Sequence, residues 1–131
     1  MIFVDSNIPM YLLGAAHPLK DAARRLLETS VARQDTLVTD AEVLQEILHR
    51  YHAIRRPDAI QPAFDVLLAV THEVLPVELA AVQRAKEVMA ASPTLSARDA
   101  VHVAVMERHG ISLVMSFDAG FDARKGLERL H

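Results

Sequence analysis

The chain has 131 residues, 51% of them apolar and 24% charged, with a formal net charge of −3 and no cysteine. Such a length and mix predict one soluble globular domain spanning 1–131. The absence of cysteine excludes a disulfide framework and a thiolate metal site, and fits a reducing compartment. The acidic balance argues against the broad basic footprint of a non-specific DNA binder, although gathering four acids into one site would leave the remainder slightly positive.

No apolar run approaches the roughly 18 residues of a membrane span. "MIFVD" meets a charge at Asp5, too early for a signal peptide. A cytoplasmic location with no membrane partner is expected.

Taken in chain order, "IFV" (2–4) is β-branched and aromatic and reads as a short buried strand. "NIPMYLL" predicts a short helix with Pro9 tolerated in its first turn and Gly14 at its end. Residues 17–32 keep apolar positions at helical spacing, and "TLVT" (36–39) reads as a second strand. A helix follows from Asp40 to Arg55, with Thr39 three residues before Glu42 in a capping-box arrangement. A further helix is expected over about 59–71, a strand in "HEVLPV" (72–77), and a helix over 78–91.

"SPTLSARD" (92–99) is a loop entering the next helix, with Ser96 able to cap and Asp99 at the third helical position. "AVHVAVMERHG" (100–110) is apolar around most of its circumference, which predicts a helix buried between layers and ended by Gly110. "SLVMSF" (112–117) is a fourth strand, followed by turns and a short final strand. Strands alternating with long helices define an α/β domain with a mainly parallel sheet.

In open parallel sheets, ligands bind beyond the carboxyl ends of the strands. There the sequence delivers Asp5 after strand one and Asp118 after strand four. The helix after strand two carries Glu42 and Glu46, and the helix before strand four begins at Asp99. Taken singly, Asp5 or Asp99 is accounted for by helix capping and Asp118 by a turn before Gly120. Gathered together, such carboxylates raise one another's pKa unless a cation compensates. Oxygen donors without cysteine or an HExxH pair favour Mg²⁺ or Mn²⁺ over zinc, and such sites serve phosphoryl transfer or phosphodiester hydrolysis. Between the two glutamates periodicity leaves the choice open. Glu42 fits the capping box, and Glu46, on the flank of the apolar stripe, equally fits a pair with Arg50.

With "VDSN", "VLQEIL", "SARDAVHVAVM" and "SFDAGFD" in this order, the chain resembles the PIN-domain ribonucleases, and more narrowly the VapC toxins of toxin–antitoxin pairs. The resemblance covers essentially the whole chain. It implies a three-layer α/β/α sandwich around a mainly parallel sheet, and an Mg²⁺- or Mn²⁺-dependent endoribonuclease. Its metal-binding and catalytic acids match Asp5, Glu46, Asp99 and Asp118, which decides for Glu46 and leaves Glu42 as an extra acid nearby. Asn7 matches the asparagine of the opening "DxN" motif and would orient Asp5. Ser116 matches the hydroxyl position before the fourth acid. Asp122 is a lesser candidate. The resemblance further implies an RNA substrate, a homodimer and a VapB-like antitoxin. Apolar faces on the helices over 17–32 and 40–55 would serve the latter two.

"HRYHAIRR" (49–56) gathers cations around a tyrosine at a helix end. Either its charges answer the helix dipole, or Arg50, Arg55 and Arg56 meet RNA phosphates while Tyr51 stacks on a base. His102 is expected to be a buried helix histidine that finds a hydrogen bond. Two competing functions fit these residues less well. A phosphatase or receiver module is disfavoured because "VDSN" lacks the second aspartate of a DxD site and no lysine follows the last strand. A non-catalytic RNA- or protein-binding PIN relative is disfavoured because all four acids are present.

Overall fold

The computed structural model describes residues 1–131. Its elements are β1 (Ile2–Val4), α1 (Asn7–Leu13), α2 (Pro18–Ala32), β2 (Leu37–Asp40), α3 (Ala41–Ala53), α4 (Ile60–Val70), β3 (Glu73–Leu75), α5 (Leu79–Ala91), α6 (Ala97–Arg108), β4 (Leu113–Met115) and β5 (Glu128–Leu130). Short 3-10 turns cover Pro57–Ala59 and Ala119–Ala123. All five strands are parallel, in the order β3-β2-β1-β4-β5.

The centre of the sheet is β1, where Phe3 pairs with Val38 on one side and Val114 on the other. Every residue of β1 and β2 is buried, as expected of strands covered on both faces by helices. The chain runs outward from β1 to β2 and β3, then returns to place β4 and β5 on the opposite side. That reversal opens a crevice at the carboxyl ends of β1 and β4. There the Asp5 N–H donates to the Met115 carbonyl at 3.1 Å.

Two helix starts set the site. The His17 side chain accepts the Leu19 N–H at 3.1 Å, with Pro18 in the first turn of α2. The Ser96 hydroxyl accepts the Asp99 N–H, also at 3.1 Å, at the head of α6. Ala100 and His102 through Met106 are buried, so α6 is the interior helix that its apolar circumference predicts, and α5 packs against it. Gly110 ends the α6 segment with φ 65°, in the left-handed region that favours glycine. This lets the Ile111 N–H reach back to the Met106 carbonyl at 2.9 Å.

The capping box expected at Thr39 and Glu42 is not formed. Thr39 lies within β2, and its hydroxyl donates across the sheet to the Val4 carbonyl at 2.9 Å. The cap of α3 is Asp40, whose carboxylate accepts the Val43 N–H at 2.9 Å. The strand runs one residue further than predicted, so the extended residue next to the first helical turn is Asp40. Tyr51 also departs from one expectation. It is only 7% exposed and belongs to the apolar core, so it is not an open stacking platform. No helix is long and apolar enough to cross a membrane.

Candidate metal centre

Asp5 leaves β1 into the crevice and is buried. Three donors hold its carboxylate. Its Oδ1 accepts the Ser6 N–H at 2.7 Å, and its Oδ2 accepts the Ser116 hydroxyl at 2.6 Å and the Asn7 amide at 3.3 Å. Asn7 also donates to the Ser116 Oγ at 3.1 Å and accepts the Phe117 N–H at 3.2 Å. The first turn of α1 is thereby tied to the end of β4.

Ligand atoms of Asp5, Glu46, Asp99 and His102 lie within 4.8 Å of one another. Glu46 reaches in from the second turn of α3, its Oε2 accepting the Ser6 hydroxyl at 2.9 Å. Its Oε1 faces His102 Nε2 at 2.6 Å, and the other ring nitrogen, Nδ1, faces Asp40 Oδ2 at 2.8 Å. His102 Nε2 stands 4.0 Å from Asp5 Oδ1. An imidazole wedged between two carboxylates serves as a donor on both sides, so neither nitrogen has a lone pair for a metal. We therefore read His102 as an internal cation beside the acids and not as a ligand.

The electrostatics follow from burial. Desolvation raises the Asp5 carboxyl above its ordinary range, with Glu46 adding to the rise and His102 and the Ser116 hydrogen bond opposing it. Asp99 is pushed up to about 8, first by burial, then by the charge of Asp5 and a hydrogen bond to Asp118. Burial would raise Glu46 too, but its hydrogen bond to His102 and the charge of that ring hold it below the usual carboxylate range. Burial alone would lower His102. The hydrogen bonds to Asp40 and Glu46, together with the charges of Asp40 and Asp5, lift it well above the ordinary histidine range.

Asp118 is exposed at the rim, beside Asp99. Its N–H donates to Ser116 Oγ at 3.0 Å, and its Oδ1 accepts the Gly120 N–H at 2.8 Å. A Cβ on Gly120 would stand 3.0 Å from that oxygen, so a larger residue there would make the carboxylate shift by a few tenths of an ångström. Glu42 is half-buried on the flank, raised by burial and by Glu46 and Asp40, against the pull of His102. Asp122 is not brought to the cluster, because it pairs with Arg129 through two 2.9 Å hydrogen bonds. Arg50, Arg55 and Arg56 are exposed, and Arg56 pairs with Asp58 at 3.1 Å.

Two residues of the site escape the sequence reading. Asp40 ends β2 as Asp5 ends β1, so the strand-end rule points to it. The apparent Thr39 cap hid that signal. Arg98 adjoins Asp99 in "SARD", and its charge helps to lower Glu46 and offsets part of the rise at Glu42.

Asp5, Glu46 and Asp99 crowd together beside one buried histidine, and ionising all three at once would leave an excess of negative charge. The oxygen donors and the raised Asp5 and Asp99 fit a hard divalent cation, which relieves that excess.

The chain is thus a wholly parallel α/β sandwich with an acidic centre at its switch point. The family model described as PIN domain matches residues 2–127. The chain belongs to the PIN-domain family, and within it to the VapC group. Ribonuclease VapC13 of Mycobacterium tuberculosis is 58% identical over 130 residues, 99% of each chain. The crystal structure of Mycobacterium tuberculosis VapC20, described as a sarcin-ricin loop cleaving toxin, matches with a TM-score of 0.77 and 25% identity over 94% of each chain. VapBC2 from Rickettsia felis, bound to a DNA fragment from their promoter, shares the fold at a TM-score of 0.75 and 16% identity, covering 99% of this chain and 98% of that one.

Proposed function

We propose that the protein is an endoribonuclease toxin of VapC type that hydrolyses RNA phosphodiester bonds to 5′-phosphate and 3′-hydroxyl ends. The observation that carries this reading is the convergence of Asp5, Glu46 and Asp99 within 4.8 Å at the β1/β4 crevice, with Asp118 at its rim. These four acids would hold Mg²⁺ or Mn²⁺. When bound, the cation supplies the positive charge that balances the carboxylates and polarises water and phosphate for in-line attack.

The chain's own residues set the geometry. Ser116 and Asn7 fix one oxygen of Asp5, and Ser6 and His102 fix the two oxygens of Glu46. Asp40 anchors the far side of His102. Partners that orient ligands in this way typically matter about 10- to 100-fold for metal affinity or activity. Arg50 and Arg98, on the wall of the cleft that opens from the acids, offer cations to flanking phosphates.

A VapB-like antitoxin and a second copy of the chain are the partners in this reading, acting in the cytoplasm. Exposed Leu48, Ile54 and Leu68, on or beside α3 and α4, supply apolar surface for a helix to cover.

The test is cleavage of total cellular RNA by purified protein in Mg²⁺ or Mn²⁺, with EDTA and Asp99→Asn controls and the fragment ends mapped. Discrete cuts lost in both controls support the reading. Folded, antitoxin-free protein that cuts nothing would replace it with a binding role on the same scaffold.

A further inference from the structure

The cleft beside the acidic centre encloses about 920 Å³ and is lined at one end by Ser6, Asn7, Glu46 and Asp118. Its other walls bring together three rings that lie far apart in the sequence. Tyr11 comes from α1, His17 from the cap of α2, and Phe117 from the residue preceding Asp118. Tyr11 and Phe117 meet edge to face with centroids 5.6 Å apart, and Tyr11 and His17 lie 5.0 Å apart with planes tilted by 40°. Tyr11 and Phe117 are half-buried and His17 is exposed, so the group borders solvent. No side-chain hydrogen bond engages the Tyr11 hydroxyl or His17 Nε2, which leaves both polar tips free for a ligand.

The ring cluster is held at a fixed offset from the acids. The Phe117 N–H donates to Asn7, whose amide donates to Asp5. Arg50, Arg56 and Arg98 lie on the same cleft. One groove therefore gathers acids, aromatic rings and guanidinium groups. An unpaired nucleotide asks for that combination: a ring for its base, cations for its flanking phosphates, and the acidic centre for the bond to be cut.

Resting on the ribonuclease reading, we propose that Tyr11, His17 and Phe117 form a base-binding subsite. It takes one unstacked RNA base next to the scissile phosphate, with Tyr11 as the principal platform. Tyr51, the tyrosine that sequence alone offers for stacking, also borders this cleft, but at 7% exposure its ring is packed into the core. Because the subsite holds a base by its face, a nucleotide locked in a duplex does not enter it. Stacking on one aromatic side chain is worth a factor of about 10 to 100 in affinity.

The experiment uses a short oligoribonucleotide built on the mapped cut, with 2-aminopurine placed in turn on each side of it and its fluorescence followed in Mg²⁺ before turnover. The expected result is quenching at one flanking position in the wild type, absent when the same RNA is annealed to its complement. Tyr11→Leu should raise KM about 10- to 100-fold and abolish the quench, and Tyr11→Phe should restore both. His17→Asn keeps a capping side chain on α2 while removing the ring, and should weaken the quench in a folded protein. It decides the matter if Tyr11→Leu does not fold. Quenching and KM within twofold of wild type in both Tyr11→Leu and His17→Asn would overturn the subsite while leaving the ribonuclease reading intact. A wild type that cuts no RNA would sink that reading and the subsite with it. If these substitutions alter the capture of an apolar helical peptide but not of RNA, the cleft serves a protein partner and the subsite is wrong.

Discussion

Nδ1 of His102 lies 2.8 Å from Oδ2 of Asp40, while its Nε2 lies 2.6 Å from Oε1 of Glu46. One imidazole from α6 thus joins the cap of α3 to an acid of the proposed metal centre one and a half turns later. Asp40→Asn preserves the cap and the shape but removes the charge behind His102. We expect Mn²⁺ affinity to fall about tenfold with the circular dichroism spectrum retained. Calorimetric titration checks this, and unchanged affinity would show that Asp40 serves only the helix.

Removing the ring is harsher. His102→Ala leaves buried Asp40, Asp5 and Glu46 without their cation, and breaking a buried ion pair on one side costs about 3–5 kcal/mol. Urea unfolding in EDTA should show that loss. A cost under about 1 kcal/mol would place the pair among exposed ion pairs and contradict the burial argument.

The pH dependence of the metal-free protein has a definite sign. Burial pushes Asp99 up to about 8 in the fold against about 3.9 in the unfolded chain, so between those values the folded state holds the extra proton. His102 is also raised, and its contribution is fully present below its unfolded pKa of about 6.5 and lost as pH climbs through the folded value. Both groups make stability fall as pH rises. Thermal melts in EDTA between pH 5 and pH 9 should decline, and Mn²⁺ should stabilise most at the alkaline end. At pH 7, binding should release protons, seen as a dependence of calorimetric heat on the ionisation enthalpy of the buffer. Melts that rise steadily towards pH 9 in EDTA would refute the assignment.

Ser116 donates to Asp5 and accepts from the Asp118 backbone, so one hydroxyl sets two of the acids. Ser116→Ala should lower kcat/KM for RNA about 10- to 100-fold while leaving the unfolding midpoint within a few degrees. Full activity in Ser116→Ala would mean that Asp5 and Asp118 are placed by the strand ends alone.

Much of this architecture is written in local pattern. Short β-branched runs between amphipathic helices predict the parallel sheet, and the apolar circumference of 100–110 predicts the interior helix. Asp5 and Asp99 follow from strand-end and helix-start positions, because the backbone there is fixed by short-range chemistry. What stays hidden depends on partners distant in sequence. Nothing near His102 announces Asp40, 62 positions away, and Thr39 imitates a cap only if β2 is read one residue too short. Tyr51 looks like a surface ring in a basic run until α3 turns its face into the core. Tyr11, His17 and Phe117 come together only once the strand order brings β4 beside β1.

The ribonuclease reading requires that the acids at the β1/β4 crevice hold a divalent cation. Crystals grown with Mn²⁺ and measured at the manganese absorption edge test it directly. An anomalous peak bounded by carboxylate oxygens of Asp5, Glu46, Asp99 and Asp118 is expected, with His102 still bonded to Asp40 and Glu46. No peak there, or a peak ligated by a His102 nitrogen, would contradict it.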